Sequence, residues 1–206
     1  APPPVAAVPL PASAPPAAEP PRTAGPAPLV PADPTGAVTV EVTRQSDTLS
    51  LGFPFAVETP VAVFIRADSL WAVFDTRARL DIGAITRDRS GAVRAATVMP
   101  LRDGQALRLK LERPRLATVR IEGSIVTILI GDQVMEPPRP LGVVRNPPSQ
   151  SRATAAVPFG DPRTIHRLTD PEAGDELMVV TGLGPPRGFL QGQDFVEFSA
   201  LPSAHG

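Results

Sequence analysis

Arginine is the residue type in this chain whose number and spacing best suit recognition chemistry. All but one of the 20 Lys and Arg residues are arginine, Lys110 being the exception. They crowd the region after the segment LWAVFD and the hairpin that follows, at Arg77, Arg79, Arg87, Arg89, Arg94, Arg108, Arg113, Arg115 and Arg120. A guanidinium is a planar fork of donors that can hold a carboxylate of a polymer or a partner protein. Acidic residues interleave with these arginines, so a mixed solvated face is the alternative. Our candidate ligand-binding residues are Arg77, Arg79, Arg94 and Arg108.

The chain offers little material for catalysis or for metal binding. It has two histidines and no cysteine, and it contains no Gly-x-Ser-x-Gly segment. His166 lies in RTIHRL, and we expect it to be a surface or edge histidine, because one histidine cannot build a histidine-based metal site. Nucleophilic hydrolysis needs a nucleophile with a positioned base. We therefore predict no enzyme activity, no metal and no cofactor.

Two further segments contain residue types that bind ions or phosphates elsewhere. DPEAGDE, residues 170–176, has four carboxylates. Their spacing does not match the alternating ligands of a calcium loop, so the segment is predicted to be a hairpin turn. GLGPPRG, residues 182–188, lacks the spacing of a dinucleotide fingerprint, and its prolines remove backbone donors that a phosphate needs.

The only tryptophan, Trp71, lies in LWAVFD, residues 70–75. Leu70, Ala72 and Phe74 alternate with Trp71 and Val73, so both faces of this segment are apolar until Asp75. That pattern indicates a central strand that is covered on both sides. Trp71 is therefore predicted to be a core residue, with an exposed ligand platform as the alternative.

The elements that must position these side chains are short strands. From residue 36 the hydrophobic pattern has period two, in AVTVEV, TLSLGFPF, VAVFIR, LWAVFD, AVRAATVMP, ALRLKLE, ATVRIEG and SIVTILIGD. The separators are rich in Gly, Pro, Asp and Ser. No stretch of this region has the pattern of a convincing amphipathic helix, although RARLDIGAITRDRS could hold one short turn. About eight strands at roughly ten-residue spacing predict an all-β fold, an antiparallel β-sandwich or barrel.

Composition divides the chain into four parts. Of the 28 prolines, 13 lie within residues 1–35, which we predict to be a disordered Ala/Pro-rich linker. Residues 36–135 form the predicted β-sandwich, and residues 136–152 are a Pro-rich connector. Residues 153–206 have strand-like runs and are predicted to be a small β-rich extension that packs on the sandwich or adds strands to it.

Charge and hydropathy restrict the partners. The formal net charge is −1, so nucleic acid is not an expected partner. No apolar run approaches the ~18–20 residues that cross a bilayer, so no transmembrane segment is expected. Zero cysteine fits a periplasmic protein that avoids oxidation chemistry, and it fits many cytosolic proteins too.

The order of features resembles the AMIN domain, a β-sandwich found before bacterial cell-wall amidases and in outer-membrane secretins. The residues that carry the resemblance are LWAVFD, an aliphatic strand ending in Asp, then TRARLDIGAI, then AVRAATV and ALRLKLE, within about residues 36–132. LGFPFAVETPVAVFIR also resembles the opening of large envelope proteins of alphaproteobacteria. The resemblance implies a periplasmic module of the bacterial envelope that binds peptidoglycan or an envelope partner and has no activity of its own.

Two functions remain open from the sequence. The first is peptidoglycan or glycan binding through an arginine-bearing sheet face, and it requires Arg94 and Arg108 to be exposed together. The second is a protein–protein docking or scaffold module in a secretion or motility assembly. It requires an exposed apolar patch or an unpaired edge strand, for example around SIVTILI. A third reading, a carboxylate enzyme, would need a cleft where two acids converge.

Overall fold

The structure, a computed structural model, describes residues 36–133, 138–149, 152–189, 193–194 and 199–200. The predicted linker 1–35 lies outside the described residues. One short helix, α1 (Gly83–Arg87), occupies the position where the sequence allowed one turn. The strands are β1 Val38–Thr39, β2 Glu41–Gln45, β3 Thr48–Pro54, β4 Val61–Arg66, β5 Ser69–Phe74, β6 Leu80–Asp81, β7 Val93–Leu101, β8 Gly104–Leu111, β9 Leu116–Glu122, β10 Ile125–Gly131, β11 Arg139–Pro140, β12 Val144–Ser149, β13 Arg152–Ala156, β14 Pro162–Thr169, β15 Glu176–Gly182, β16 Arg187–Gly188, β17 Gln193–Asp194 and β18 Ser199–Ala200.

Two antiparallel sheets face each other, which confirms the predicted all-β antiparallel sandwich. The four-stranded sheet has the order β2-β3-β10-β9, and the six-stranded sheet has the order β14-β15-β4-β5-β8-β7. Tight turns join neighbours, and in the β9–β10 turn Gly123 has a φ of +57°, a conformation that favours glycine. The segment SIVTILI forms β10, which pairs with β3 on one side and β9 on the other. The proposal of an unpaired edge at SIVTILI is therefore wrong.

The core between the sheets follows the period-two pattern of the sequence. The apolar face of β3 meets the inner face of the six-stranded sheet, and the rings of Phe53 and Phe55 lie 4.9 Å and 5.2 Å from the ring of Phe74. In β8 the residues Leu107 and Leu109 are fully buried in this same core. Because alternate residues point to opposite faces of a strand, the intervening side chains of β8 lie on the outer face.

Strand β5 is buried on both faces, as LWAVFD predicted. All six of its residues are buried. Leu70, Ala72 and Phe74 belong to the core between the sheets, whereas Trp71 and Val73 belong to a second cluster on the outer face. Trp71 is therefore a core residue, and it is 0% exposed.

The hairpin β14–β15 covers that outer face. Its Leu168 and Val179 complete the cluster around Trp71. The hairpin continues the six-stranded sheet, but its ladder with β4 consists of one residue pair, Gly182 with Val61. Upstream, the Pro-rich stretch contains β12, which pairs with β13 as a second hairpin. Residues from the predicted extension thus contribute strands to the sheet of the sandwich.

Candidate functional site

Arg94, on β7, is paired with the carboxylate of Glu112, the residue that follows β8. Its Nη2 atom donates to Oε1 of Glu112 at 2.7 Å, and its Nε atom donates to Oε2 of the same group. This two-point bond lowers the pKa of Glu112 below its ordinary value, because the hydrogen bond from the guanidinium stabilises the charged form. The fork of Arg94 is therefore occupied by a neighbour on an exposed surface.

Arg108, on β8, lies beneath the hairpin. Its side chain is only 14% exposed, and its Nη2 atom is 2.7 Å from Oε2 of Glu172 and 3.1 Å from Oγ of Ser69. The guanidinium carbon lies 5.4 Å from the centroid of Trp71, a cation–π distance. Arg94 and Arg108 are thus not exposed together, because the turn of the hairpin covers Arg108.

The turn between β14 and β15 is held by ion pairs. DPEAGDE forms a hairpin turn, as the sequence predicted, and its Asp170 and Asp175 both contact the guanidinium of Arg66. Glu172 of the turn accepts a hydrogen bond from Nζ of Lys110 at 2.7 Å. That bond, together with Arg108, lowers the pKa of Glu172. Charged residues of the outer face therefore pair with the turn of the hairpin, although Glu172 and Asp175 remain about half exposed.

Arg77 and Arg79 lie in the connector between β5 and β6 and are both exposed. Nη2 of Arg77 is 3.0 Å from Oδ1 of Asp103, and Nε of Arg102 is 3.9 Å from the other oxygen of that carboxylate. Within the described part of the chain, no carboxylate pairs with the Arg79 side chain. At this corner Arg77 and Arg102 thus share the carboxylate of Asp103, and Arg79 is exposed two positions after Arg77 in the chain.

His166 occupies a place that the sequence did not predict. β14 is an edge strand, so the expected edge position of His166 is correct. Its side chain is only 3% exposed, so the alternative of a surface histidine is wrong. Its Nε2 atom lies 2.6 Å from Oδ1 of Asp75, at the end of β5. The hydroxyl of Thr181 donates to the same oxygen at 2.8 Å. The ring packs on Gly104, where a Cβ atom would be 2.8 Å from Cε1 of His166.

The hydrogen-bonded group of His166, Asp75 and Thr181 connects the hairpin β14–β15 to the end of β5. A serine-type triad needs a hydroxyl on the histidine nitrogen that accepts its proton. Here the hydroxyl of Thr181 points to the carboxylate of Asp75 and accepts a bond from the backbone N–H of Thr164 at 3.2 Å. The geometry therefore places two donors on one buried carboxylate and leaves no hydroxyl nucleophile on His166.

Two other kinds of site are absent from the described ranges. No cluster of three or more His, Cys, Asp or Glu side chains stands at metal-binding geometry in them. Nor does any helix of these ranges have the length and apolarity needed to cross a membrane.

An apolar groove lies where the two sheets diverge on the side of β4. Its volume is about 830 Å³. The walls are Val61–Phe64 of β4, Val119 and Ile121 of β9, the hairpin β14–β15 and the segment 183–189. The charged residues among the described lining are Arg163 and Arg187. We call this feature the β4 groove.

The strands that border the β4 groove have free edges. β4 pairs with β5 along its whole length, but on the groove side its ladder ends after Val61. β9 is the last strand of the four-stranded sheet. Ile165, Met178 and Val180 of the hairpin line the groove and are 66%, 65% and 44% exposed. The groove thus combines exposed apolar side chains with unpaired backbone edges.

Sequence reasoning missed the β4 groove and the buried His166 pair for different reasons. The sequence does contain a local signal for the groove, because the segment ELMVV of β15 has apolar residues on both faces of the strand. A strand with one solvent-exposed face alternates between apolar and polar residues. The partner of His166 is 91 positions away, so no local pattern contains it.

Comparison with known proteins gave no further assignment. No family model, no curated protein and no solved structure matches the chain. The resemblance to the AMIN domain therefore stays a prediction.

Proposed function

We propose that this protein is a non-catalytic docking module that binds an extended segment of a partner protein in the β4 groove. The observation that carries the proposal is the free edge of β4, which has one residue pair with β15 and borders an apolar groove. An exposed strand edge presents unpaired N–H and C=O groups to another chain. A peptide that adds a strand gains main-chain hydrogen bonds there, and alternate side chains enter the groove.

The arginines favour docking over wall binding. Arg77, Arg94 and Arg108, three of the four candidates, already pair with carboxylates of this chain. A ligand carboxylate would have to displace Asp103, Glu112 or Glu172 from them. By contrast, the exposed side chains of Ile165, Met178 and Val180 have no such internal partner to give up, and covering them stabilises a complex through burial of apolar surface.

The cellular setting is part of the proposal. The resemblance to the AMIN domain supports a periplasmic module of the bacterial envelope, and it makes an envelope protein the expected partner. The absence of cysteine fits that compartment.

A display selection with eight-residue peptides on the full chain tests docking. We expect enrichment of peptides with alternating apolar residues. Val180→Asp places a charge in the β4 groove and is expected to weaken the selected peptides about tenfold or more, roughly 1.4 kcal/mol. The matched control is Val57→Asp, because Val57 is 66% exposed and is not part of the groove. No enrichment, or equal loss in both variants, would refute the docking function.

Peptidoglycan binding remains a second candidate because of the basic corner at Arg77 and Arg79. Arg77 is 84% exposed in its side chain, and Arg79 is exposed beside it. Co-sedimentation of the full chain with insoluble peptidoglycan tests this function. The variant Arg77→Glu/Arg79→Glu should lose sedimentation, whereas Arg44→Glu/Arg167→Glu, with the same change of charge at other exposed sites, should keep it. Failure of the folded wild type to sediment would eliminate this candidate.

A further inference from the structure

We infer that the β4 groove selects a partner segment that carries a carboxylate, and that Arg187 is the residue that binds it. This inference rests on the proposed docking function and specifies its ligand. The partner is an extended, mostly apolar strand with one acidic group, and it is not a uniformly hydrophobic one.

The charges of the groove lining are the first argument. Two arginines and no acid line the groove among the described residues, so the lining has a positive charge. Arg163 has a partner, because its Nη2 atom lies 2.8 Å from Oδ2 of Asp161. Within the described ranges no carboxylate pairs with Arg187. Among the described residues that line the groove, Arg187 is therefore the cation without a carboxylate partner.

The position of Arg187 is the second argument. Its side chain is half-buried, and its Nη2 atom would lie 3.5 Å from a Cβ atom on Gly160. The flanking residues Pro186 and Phe189 also line the groove. A guanidinium held among apolar groups is less hydrated than one in open solvent. An ion pair with a ligand is stronger there, because the effective dielectric constant is lower.

The chemistry of arginine sets the ligand. A guanidinium offers two parallel N–H donors that match the two oxygens of a carboxylate. The free edge of β4 holds the peptide backbone, and the apolar walls accept alternate side chains. Arg187 then fixes where along the groove the acidic group lies, and so it sets the register of the bound strand.

The carboxylate could come from a side chain or from a chain terminus, and the experiment separates the two. The probes are fluorescent eight-residue peptides of alternating Val and Ser, capped at both ends. In one set of peptides the second residue is replaced by Glu, Gln or Lys. In another set the seventh residue is replaced by the same three residues. A further peptide has no charged residue and a free C-terminal carboxylate. Binding of each peptide to the full chain is measured by anisotropy.

We expect a Glu peptide to bind about tenfold more tightly than its Gln counterpart, with the Lys peptide weakest. In Arg187→Gln this preference should fall to less than about twofold, and in Arg187→Glu it should reverse toward Lys. Arg163→Gln, which removes the other groove arginine, should keep the preference. If the peptide with a free C-terminus binds as tightly as the Glu peptide, a terminal carboxylate binds Arg187 as well as a side-chain carboxylate does.

The outcomes separate this inference from the function on which it rests. If the peptides bind, Val180→Asp weakens their binding, and Glu, Gln and Lys peptides bind equally well, then the role of Arg187 is overturned and the docking function stands. A charge preference that persists in Arg187→Gln overturns the assignment to this residue. Absence of binding by every peptide overturns both proposals.

Discussion

Nε2 of His166 lies 2.6 Å from Oδ1 of Asp75, a contact that joins the C-terminal hairpin to the central strand of the sandwich across 91 positions of sequence. Asp75 also accepts a bond from Thr181, which lies on the neighbouring strand of the hairpin. Both strands of the hairpin are therefore fastened to the same carboxylate, at the end opposite the ion pairs of its turn.

Replacement of Asp75 should destabilise the protein. Asp75→Ala leaves the buried Nε2 of His166 without its partner and leaves the Thr181 hydroxyl only its longer bond, 3.2 Å, to the carbonyl oxygen of Thr164. We expect the free energy of unfolding to fall by about 1–3 kcal/mol. Urea denaturation followed by Trp71 fluorescence measures it. Glu176→Ala is the control, because Glu176 forms an exposed pair with Arg167 that contributes about 0–1 kcal/mol. Equal losses in the two variants would show that the buried contact adds nothing.

A methyl group at Gly104 should not be tolerated. Its Cβ atom would be 2.4 Å from the carbonyl oxygen of Phe74 and 2.8 Å from the ring of His166. Because the first of these atoms is backbone, the strands must shift, and we expect Gly104→Ala to lower the free energy of unfolding by about 1–3 kcal/mol. Gly142→Ala, where a Cβ atom meets nothing within 4 Å, should be neutral in the same measurement.

The sandwich was predictable because its signals are local. Alternation in TLSLGFPF and ALRLKLE identifies strands and their buried faces within seven or eight residues. Trp71 was predictable for the same reason, since both phases of LWAVFD are apolar. The environment of Arg108 was not, because its cover is Glu172, a residue that the hairpin brings back from a distant part of the chain. Long-range contacts of this kind have no local pattern.

Asp132 should titrate well below an ordinary aspartate. The hydrogen bonds that its carboxylate accepts from Arg113, which are the main cause, and a smaller contribution from Asp47 lower its pKa from 3.8 to about 2. A depressed folded-state pKa stabilises the folded protein above the unfolded value near 4, and this contribution is lost as the pH falls toward 2. An NMR titration of the Asp132 carboxyl carbon should show a midpoint near 2. In Arg113→Gln we expect the midpoint to rise toward 3.8, and an unchanged midpoint would contradict this cause.

A charge beneath the hairpin should release it without unfolding the sandwich. Leu168→Asp places a carboxylate in the small cluster around Trp71, where an unpaired charge is costly. We expect the emission of Trp71 to shift to longer wavelength while the far-UV circular dichroism keeps its β signal. Leu107→Asp, in the core between the sheets, should shift the Trp71 emission and also abolish the β signal of the far-UV circular dichroism. A loss of β signal in Leu168→Asp as well would mean that the two clusters unfold as one unit.

The outer face of β5 is covered by strands that the ribosome makes late. The sandwich proper is complete at Gly131, whereas the hairpin ends at Gly182, about fifty residues later. At roughly 5–20 residues per second, Phe64 and Trp71 stay uncovered for several seconds of translation. A nascent chain that has reached β10 therefore exposes an aromatic surface that can associate with other chains. Binding of a chaperone, or rapid synthesis and docking of β15, would prevent its aggregation.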